Sequence, residues 1–407
     1  MVNGYAMNKF MKMVKPQDRF YIKLLLLFII IFSAGVATMV PWSTAFMQTA
    51  SGDPAYVYIA HEIFSRGMSC ASDLVCIGGP WSIWYWHNYH PDTYFEVILS
   101  HIFITGVIIY SITYLSIKNL RSIVGSIILL FGIVAALSTD LDSRIFLLSF
   151  LFLIYFKEYI KGNNYTPLLL IVLAMGFSYY VKAPFAIASA LIVLSSTLVE
   201  IFILRKLPIV FIVYIMSLAL FAKLSGQNFY DIPVFIIRAI EFGIGYPSTM
   251  SEYGNISELF IYLVGASLFM LMVLKSEIHK KHSIKIYFVL SYALIMFLSY
   301  RNAFTRQDGM HVLHGYVTLI VAIVLYVVAN YQSFNLSFAK NKYFFNSRAL
   351  YLYGTILLVF SINFLHNHPS IYTGKLDKLT RNIQYAYDAS MDNGNLERRH
   401  LFAKNKI

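Results

Sequence analysis

The sequence predicts an all-α, polytopic integral membrane protein. Hydrophobic residues make up 58% of the 407-residue chain and charged residues only 13%, which leaves too little polar surface for a soluble protein of this size. Apolar segments recur from Tyr21 to Phe364. Each is about as long as a membrane-spanning helix, whereas the strands of a membrane barrel alternate in polarity over roughly ten residues.

The net charge of +12 does not indicate a nucleic-acid-binding protein. The basic residues are distributed over short loops between apolar segments and form no single basic patch. This distribution is typical of the positive charge that orients membrane spans, and it also attracts anionic headgroups and phosphates. We therefore expect contacts with membrane lipids and no nucleic-acid partner.

The positions of Lys and Arg predict how the spans are oriented. Basic residues from Lys9 to Lys23 precede the first apolar segment and place the N-terminus in the cytoplasm. No small-residue cleavage site ends this segment, so we expect a retained signal anchor. With alternating sides, each later basic cluster lies in the cytoplasm. The eleven expected spans lie near 24–42, 96–117, 122–138, 145–157, 166–181, 183–203, 207–222, 258–274, 286–300, 315–330 and 349–364.

The same alternation places four loops and a C-terminal tail on the outer side of the membrane. These loops cover residues 43–95, 139–144, 223–257 and 301–314, and they hold most of the unusual polar residues. We predict a transmembrane domain, residues 1–364, followed by a periplasmic tail, residues 365–407. The tail is polar and contains one expected helix, near 376–389.

Both cysteines, Cys70 and Cys76, lie in the first outer loop. In an oxidising periplasm they can form a disulfide, and two free thiols agree equally well with the sequence. The sequence leaves both alternatives open.

Four motifs in the first half of the chain carry candidate chemistry. They are Asp53 with Tyr56, Tyr58, Ala60 and Gly67; Tyr89–Tyr94, which includes His90, Pro91 and Asp92; Thr139–Ser143, which includes Asp140 and Asp142; and Gly176–Pro184, which includes Lys182. The first places a carboxylate at the outer water–lipid boundary, where a charge is unfavourable unless it is used or paired. A solvated or helix-capping aspartate is the alternative interpretation of Asp53.

In this order the motifs resemble those of the GT-C glycosyltransferases, especially the branch of the lipid A aminoarabinose transferase and the protein mannosyltransferases. The resemblance covers roughly a third of the chain, from Asp53 to Ala190, and Asp92 stands where that family has a second proline. The layout is also similar to that of the serotype-converting O-antigen glucosyltransferases. The resemblance implies a GT-C-like fold in the bacterial inner membrane, with an active site that faces the periplasm. There a sugar would pass from an undecaprenyl-phosphate donor to a cell-envelope glycan or a lipid-linked acceptor such as O-antigen.

The expected catalytic residues are acidic because an attacking hydroxyl must lose its proton to a base. Asp53 is the candidate base. Asp140 and Asp142 are expected to orient the acceptor or to bind a divalent cation, which close carboxylates can share. A short solvated turn capped by Asp140 is the alternative.

The expected binding sites for the donor phosphate are Lys182, Arg301, Arg306 and His311, because cations stabilise the charge that develops on a lipid-phosphate leaving group. Lys182 can instead extend towards headgroups, as lysines at membrane boundaries often do. The loop that holds the other three has two Arg, one Asp and two His between apolar spans. No topogenic role explains those charges on the outer side.

The expected substrate contacts are Tyr56, Trp86, His90 and Asp308. Trp86 and His90 lie in an aromatic segment, Trp81–His90, whose rings can stack on sugars or form an interfacial belt. His87 and His90 have an i, i+3 spacing that suits metal ligands, but no third ligand is near in the sequence.

Two other functions remain open at this point. An O-antigen polymerase or ligase also acts on undecaprenyl-linked glycans, and its basic outer loops are similar to 301–314, but an aspartate after the first span is not typical of it. A transporter of lipid-linked sugars would have polar residues or broken helices near mid-membrane. The ionisable residues lie instead at the outer ends of the spans.

Overall fold

The computed structural model of the protein describes most of the chain as far as residue 340. The described residues are 16–42, 52–70, 78–120, 123–162, 165–276 and 282–340, with the single residues 367, 377 and 380. Within these ranges the chain forms helices and no β-strand, apart from an isolated bridge between Glu252 and Arg306. The predicted all-α class is confirmed for this part of the protein.

The helices of the described residues are numbered in chain order. They are α1 (Pro16–Met39), α2 (Gly52–Arg66), α3 (Tyr94–Asn119), α4 (Ile123–Ser138), α5 (Leu141–Ile160), α6 (Thr166–Tyr179), α7 (Ala183–Leu198), α8 (Ile209–Leu224), α9 (Asp231–Met250), α10 (Ile256–Ser276), α11 (His282–Phe304) and α12 (Gly309–Lys340). A 3-10 turn covers Pro80–Trp84, and a π-helical turn, Val199–Leu204, extends α7.

Ten of the predicted spans coincide with helices, namely α1, α3 to α8 and α10 to α12. Six helices in the described ranges are long and apolar enough to cross a membrane: α1, α3, α7 with its π-helical turn, α10, α11 and α12. The protein is therefore an all-α protein with membrane-spanning helices. The eleventh predicted span, 349–364, and the tail helix lie outside the described residues, so the count of eleven stays a prediction.

Two helices, α2 and α9, lie in segments that the sequence pattern suggested were outer loops. Helix α2 begins at Gly52 and carries the first motif. Helix α9 mixes charged residues such as Arg238 with apolar ones, and its residues Ile237 and Ile244 are exposed. A helix with exposed apolar residues beside a membrane bundle is typical of the lipid–water interface. The charges within α9 are the reason why the sequence pattern placed it in a loop.

The predicted outer loops meet at one end of the helix bundle, which we call the site end. Tyr85 from the first loop and Asn302 from the last both donate hydrogen bonds to Asp142 from the second loop. Gln227 from the third loop accepts a hydrogen bond from the backbone amide of Cys70 in the first. The structure therefore groups these loops as the alternation of spans requires.

The residues predicted to be cytoplasmic meet at the opposite end, which we call the basic end. There Lys118 and Lys161 lie 2.6 and 2.7 Å from carboxylate oxygens of Glu158, and Lys157 donates to the side chain of Asn330 at 2.8 Å. The bundle therefore has two polar ends, and its apolar part lies between them. Which end faces the cytoplasm stays a prediction from charge.

Helix α5 lies at the centre of the bundle and positions the site. Phe146, Phe150, Phe152 and Phe156 along it have at most 2% of their surface exposed, and it packs against α6, α11 and α12. A helix that is apolar on all faces is buried by its neighbours. Its first turn, Leu141–Arg144, is thereby held at the site end.

Two glycines, Gly67 after α2 and Gly226 after α8, join these helices at the site end. Both have left-handed backbones, with φ of 62° and 70°, a conformation that is strained for residues with a side chain. A Cβ on Gly226 would lie 2.8 Å from the Cα of Gly67. This contact explains why the first motif ends in glycine.

Gly176 allows α6 and α8 to approach closely, and its substitution provides a test of the packing. A Cβ there would lie 2.5 Å from the Cβ of Ser217. We expect Gly176→Ala to lower the free energy of unfolding by about 1–3 kcal/mol, because overpacking separates the helices. Thermal unfolding in detergent measures this effect.

Gly132 in α4 is the matched control, since nothing lies within 4 Å of a Cβ at this position. Alanine is a better helix former than glycine, so Gly132→Ala should leave stability unchanged or slightly higher. Equal effects of the two substitutions would contradict the close approach of α6 and α8.

Candidate functional site

The site begins at the N-terminus of α5, where Asp140 is the capping residue. Its carboxylate accepts hydrogen bonds from the backbone amides of Asp142 and Ser143, at 3.3 and 2.9 Å, and a short one from the Ser143 hydroxyl. Aspartate is favoured there because it satisfies free amides and meets the positive end of the helix dipole. The predicted capping role is confirmed, but the turn is buried rather than solvated: Asp140 is 2% exposed.

Asp142, two residues further on, is fully buried and meets polar groups from distant parts of the chain. Its carboxylate accepts hydrogen bonds from the side-chain amide of Asn302 at 2.8 Å and from the hydroxyl of Tyr85 at 3.3 Å. The ammonium of Lys182 lies 3.5 Å from both of its oxygens. A buried carboxylate requires such partners, because leaving it unpaired costs several kcal/mol.

Lys182 is the capping residue of α7, at the turn between α6 and α7. Its ammonium is 3.2 Å from the hydroxyl of Tyr85 and 4.3 Å from the centre of that ring, a cation–π geometry. Burial opposes the charge, but Asp142 and Tyr85 raise the pKa of Lys182 above its ordinary value, so the side chain is an ammonium. About a fifth of it, 20%, is exposed.

His314 in α12 completes the group. Its Nδ1 is in close contact with a carboxylate oxygen of Asp140, and its Nε2 lies 3.5 Å from Asp142. The Ser143 hydroxyl is 2.9 Å from that of Thr318, so α12 also contacts the α5 terminus through hydroxyl groups. We call Asp140, Asp142, Lys182, Tyr85, Asn302 and His314 the carboxylate cluster.

The loop between α11 and α12 adjoins the cluster and is itself internally bonded. Asp308 accepts hydrogen bonds from the backbone and the ring Nδ1 of His311, at 3.0 and 2.8 Å. Arg306 lies 3.1 Å from Asp308 and 3.3 Å from Glu252. Burial opposes ionisation of Asp308, yet His311 and Arg306 bring its pKa below the ordinary value.

The structure brings together some of the predicted site residues and not others. Asp140, Asp142 and Lys182 belong to the carboxylate cluster; His311 lies one turn before His314, with ring centres 5.7 Å apart; Arg301, Arg306 and Asp308 lie in or beside the adjoining loop. Asp53 and Tyr56 lie in the first turns of α2, but their side chains are outside the part that the structure describes. Their predicted roles stay predictions.

A second polar group, the histidine cluster, lies where α2 meets the segment before α3 and comprises His61, Glu62, His90 and Thr93. His61 contacts the hydroxyl of Thr93 and the carbonyl of Trp86, and its ring stacks on that of His90 at 5.4 Å. His90 is 1% exposed, and its Nε2 faces Glu62 at 3.5 Å. The His90 ring thus contacts other groups of the protein, Glu62 and His61.

In the sequence, the spacing of His87 and His90 suits metal ligands, and the pairing of Cys70 with Cys76 is left open. His87 turns towards the carbonyl of Tyr85 and the ring of His101. Among the described residues, no three His, Cys, Asp or Glu side chains are arranged to hold a metal ion. Cys70 is buried near Gly78, while Cys76 lies outside the described residues, so their pairing stays a prediction.

Sequence reasoning did not assign the partners Tyr85, Asn302 and His314. All three lie in segments that the sequence pattern singled out, the aromatic stretch and the 301–314 loop. The usable signal was a polar side chain at the outer end of an apolar span. The choice among those side chains depended on long-range packing.

The fold and site together define an all-α membrane protein with a buried cluster of carboxylates and cations at one end. Comparisons with protein-family models, with curated proteins and with solved structures found no match.

His61 gives a pH test of the histidine cluster. Burial lowers the pKa of His61 from 6.5 to about 4, outweighing the hydrogen bond to Trp86. Between pH 6.5 and 4 the unfolded chain therefore binds a proton at His61 that the folded protein does not bind. The free energy of unfolding falls as the pH drops through this range, by up to about 1.4 kcal/mol per pH unit. Thermal unfolding between pH 7.5 and 5 should show this slope.

His61→Gln should flatten the slope, because the titrating group is gone. His282→Gln, at the exposed start of α11, is the control and should retain it. A slope unchanged in His61→Gln would show that another group controls stability in this range.

Proposed function

We propose that the protein is a membrane glycosyltransferase that moves a sugar from a polyprenyl-phosphate donor to a glycan or lipid-linked acceptor at the site end. The observation that carries the proposal is the partly exposed ammonium of Lys182, which Asp142 and Tyr85 hold at the end of the helix bundle. A lipid phosphate in the bilayer has its charge at headgroup level. A fixed cation at a bundle end is suited to meet it.

The reaction is a single displacement. The acceptor hydroxyl oxygen forms a bond to the anomeric carbon while the bond from that carbon to the phosphate oxygen breaks, and a base takes the hydroxyl proton. The polyprenyl phosphate leaves with one more negative charge, which Lys182 stabilises. A displacement of this kind inverts the configuration of the anomeric carbon.

The acidic residues divide into two roles in this proposal. Asp53 is the base, an assignment that rests on the resemblance of its motif and on its place in the first turn of α2. Asp140 and Asp142 are buried against protein groups, so Asp140 caps α5, Asp142 positions Lys182, and neither accepts the proton.

A polymerase or ligase that uses a lipid diphosphate is the second candidate. It would need more cationic groups at the donor, and Arg301 and Arg306, in or beside the loop that adjoins the cluster, are the candidates. Because Arg306 already contacts two carboxylates, the monophosphate donor is favoured. A transporter is less well supported, since the cluster lies at a bundle end and not at mid-membrane.

Asp53→Asn tests the base. With purified protein and radiolabelled polyprenyl-phosphate sugars, we expect sugar transfer to fall at least ~100-fold, the usual effect of losing a general base, while donor binding is retained. Asp231→Asn at the start of α9 is the control, because asparagine can keep the contact with the Asn228 amide; it should transfer normally. Full activity in Asp53→Asn would remove Asp53 from the mechanism.

The same assay decides the proposal as a whole. No transfer by the wild-type protein from any polyprenyl-phosphate sugar would overturn it. Lipid-diphosphate-linked repeat units would then test the polymerase or ligase.

Lys182→Gln tests the phosphate-binding cation. Loss of the charge should lower kcat by about 100-fold, comparable to removing one donor that stabilises an anionic transition state, whereas Lys182→Arg should retain part of the activity. Lys161→Gln removes an exposed lysine of the basic end and should have little effect. Equal activity of Lys182→Gln and Lys161→Gln would contradict the role of Lys182, provided that both unfold at similar temperatures.

A further inference from the structure

His314 occupies an unusual position between two carboxylates. Its ring nitrogens face different aspartates, Nδ1 towards Asp140 and Nε2 towards Asp142. The side chain is only 11% exposed, and those of both aspartates are 0% exposed. Water therefore does little to reduce the repulsion between the two carboxylates.

The protonation of the ring follows from the number of donors it can offer. A neutral imidazole has one N–H and one lone pair, so one nitrogen would present a lone pair to a carboxylate. The doubly protonated ring donates from both nitrogens. Two like charges at neighbouring buried positions also need compensating cations if both are to stay ionised.

The charges around His314 come from three elements. Helix α5 presents Asp140, Asp142 and the buried guanidinium of Arg144, which interacts electrostatically with Asp140; the turn before α7 presents Lys182, and α12 itself presents His311 one turn earlier. The two aspartates lie nearest to the ring. With His314 charged, Asp140 faces the imidazolium and Arg144, and Asp142 faces the imidazolium and the Lys182 ammonium.

We infer that His314 is a positioning residue: as a doubly protonated imidazole it bridges Asp140 and Asp142 and so leaves Lys182 available for the donor phosphate. The availability of Lys182 matters only under the proposed glycosyl transfer, on which this part of the inference rests. The negative charge of Asp142 then interacts with both His314 and Lys182. Its contact with Lys182 is long, at 3.5 Å. Without the bridge, Lys182 is the nearest remaining cation for Asp142 and is held more tightly.

The first test reads the protonation state directly and needs no substrate. Nitrogen-15 NMR of the full chain in lipid nanodiscs, labelled at its 11 histidines, reports whether one or both ring nitrogens carry a proton. The His314 signal is assigned by its absence from His314→Gln, with His282→Gln as the matched control. Both nitrogens protonated at pH 7 is the expected result, and a neutral ring would overturn the inference.

The second test uses charge balance. His314→Gln removes the cation and leaves two carboxylates with less compensation, so we expect at least a tenfold loss of kcat/KM and a lower unfolding temperature. Adding Asp140→Asn removes one of the negative charges and keeps a residue that can cap α5. The double variant should regain much of both losses, whereas simply additive losses would overturn the bridge.

The third readout is the pH profile of transfer. Wild type should lose activity at alkaline pH as the ring gives up its proton, and a folded His314→Gln variant should lack this limb. The same alkaline limb in both proteins would overturn the inference. If His314→Gln does not fold, the Asp140→Asn/His314→Gln double variant supplies the NMR assignment and the comparison profile.

These tests distinguish failure of the proposed glycosyl transfer from failure of the proposed His314 bridge. A doubly protonated His314 with charge-coupled stability, in a protein that transfers no sugar from polyprenyl phosphates, would reject the glycosyltransferase and keep the buried bridge. Transfer with a neutral His314 would keep the glycosyltransferase and reject the bridge.

Discussion

The arrangement of the site end depends on the burial of two carboxylates in the first turn of α5. Asp140 and Asp142 have no exposed side-chain surface, and each would destabilise the fold by several kcal/mol if it were ionised and unpaired. Their partners come from different elements: Tyr85 follows the 3-10 turn, Lys182 precedes α7, and His314 lies in α12. The charges therefore fix which helix ends must meet.

The same pairs explain why α5 can be central and still begin with charged residues. Asp140 is compensated by backbone amides and the helix dipole as well as by His314, so its charge is tied to the helix itself. Arg144, also buried, donates to the carbonyls of Leu137 and Met39. The α5 terminus thereby satisfies groups at the ends of α4 and α1, and polar bonds hold these ends where apolar packing alone would let them slide.

The sequence predicted the positions of helices well because hydropathy and length are local properties: ten predicted spans coincide with helices, six of which are long and apolar enough to cross a membrane. It did not predict α9, because this helix carries charges such as Arg238 and Glu241 among its apolar residues. For the site, polarity at a membrane boundary singled out Asp142 and Lys182. It did not reveal Asn302, which lies 160 positions along the chain from Asp142, because only packing decides which distant side chain reaches a buried carboxylate.

Each of the four sequence motifs is weak evidence by itself, but residues from these motifs make contacts at the same end of the bundle, the site end. Gly67 meets Gly226 and joins α2 to α8, while Gly176 lets α6, which leads into the turn that carries Lys182, approach α8. Asp142 then receives Lys182 and the Tyr85 hydroxyl. The glycines allow α2, α6 and α8 to approach closely, and the pairing of Asp142 with Lys182 joins α5 to the start of α7. Close packing and buried charge pairing therefore act together on the helix ends that form the site.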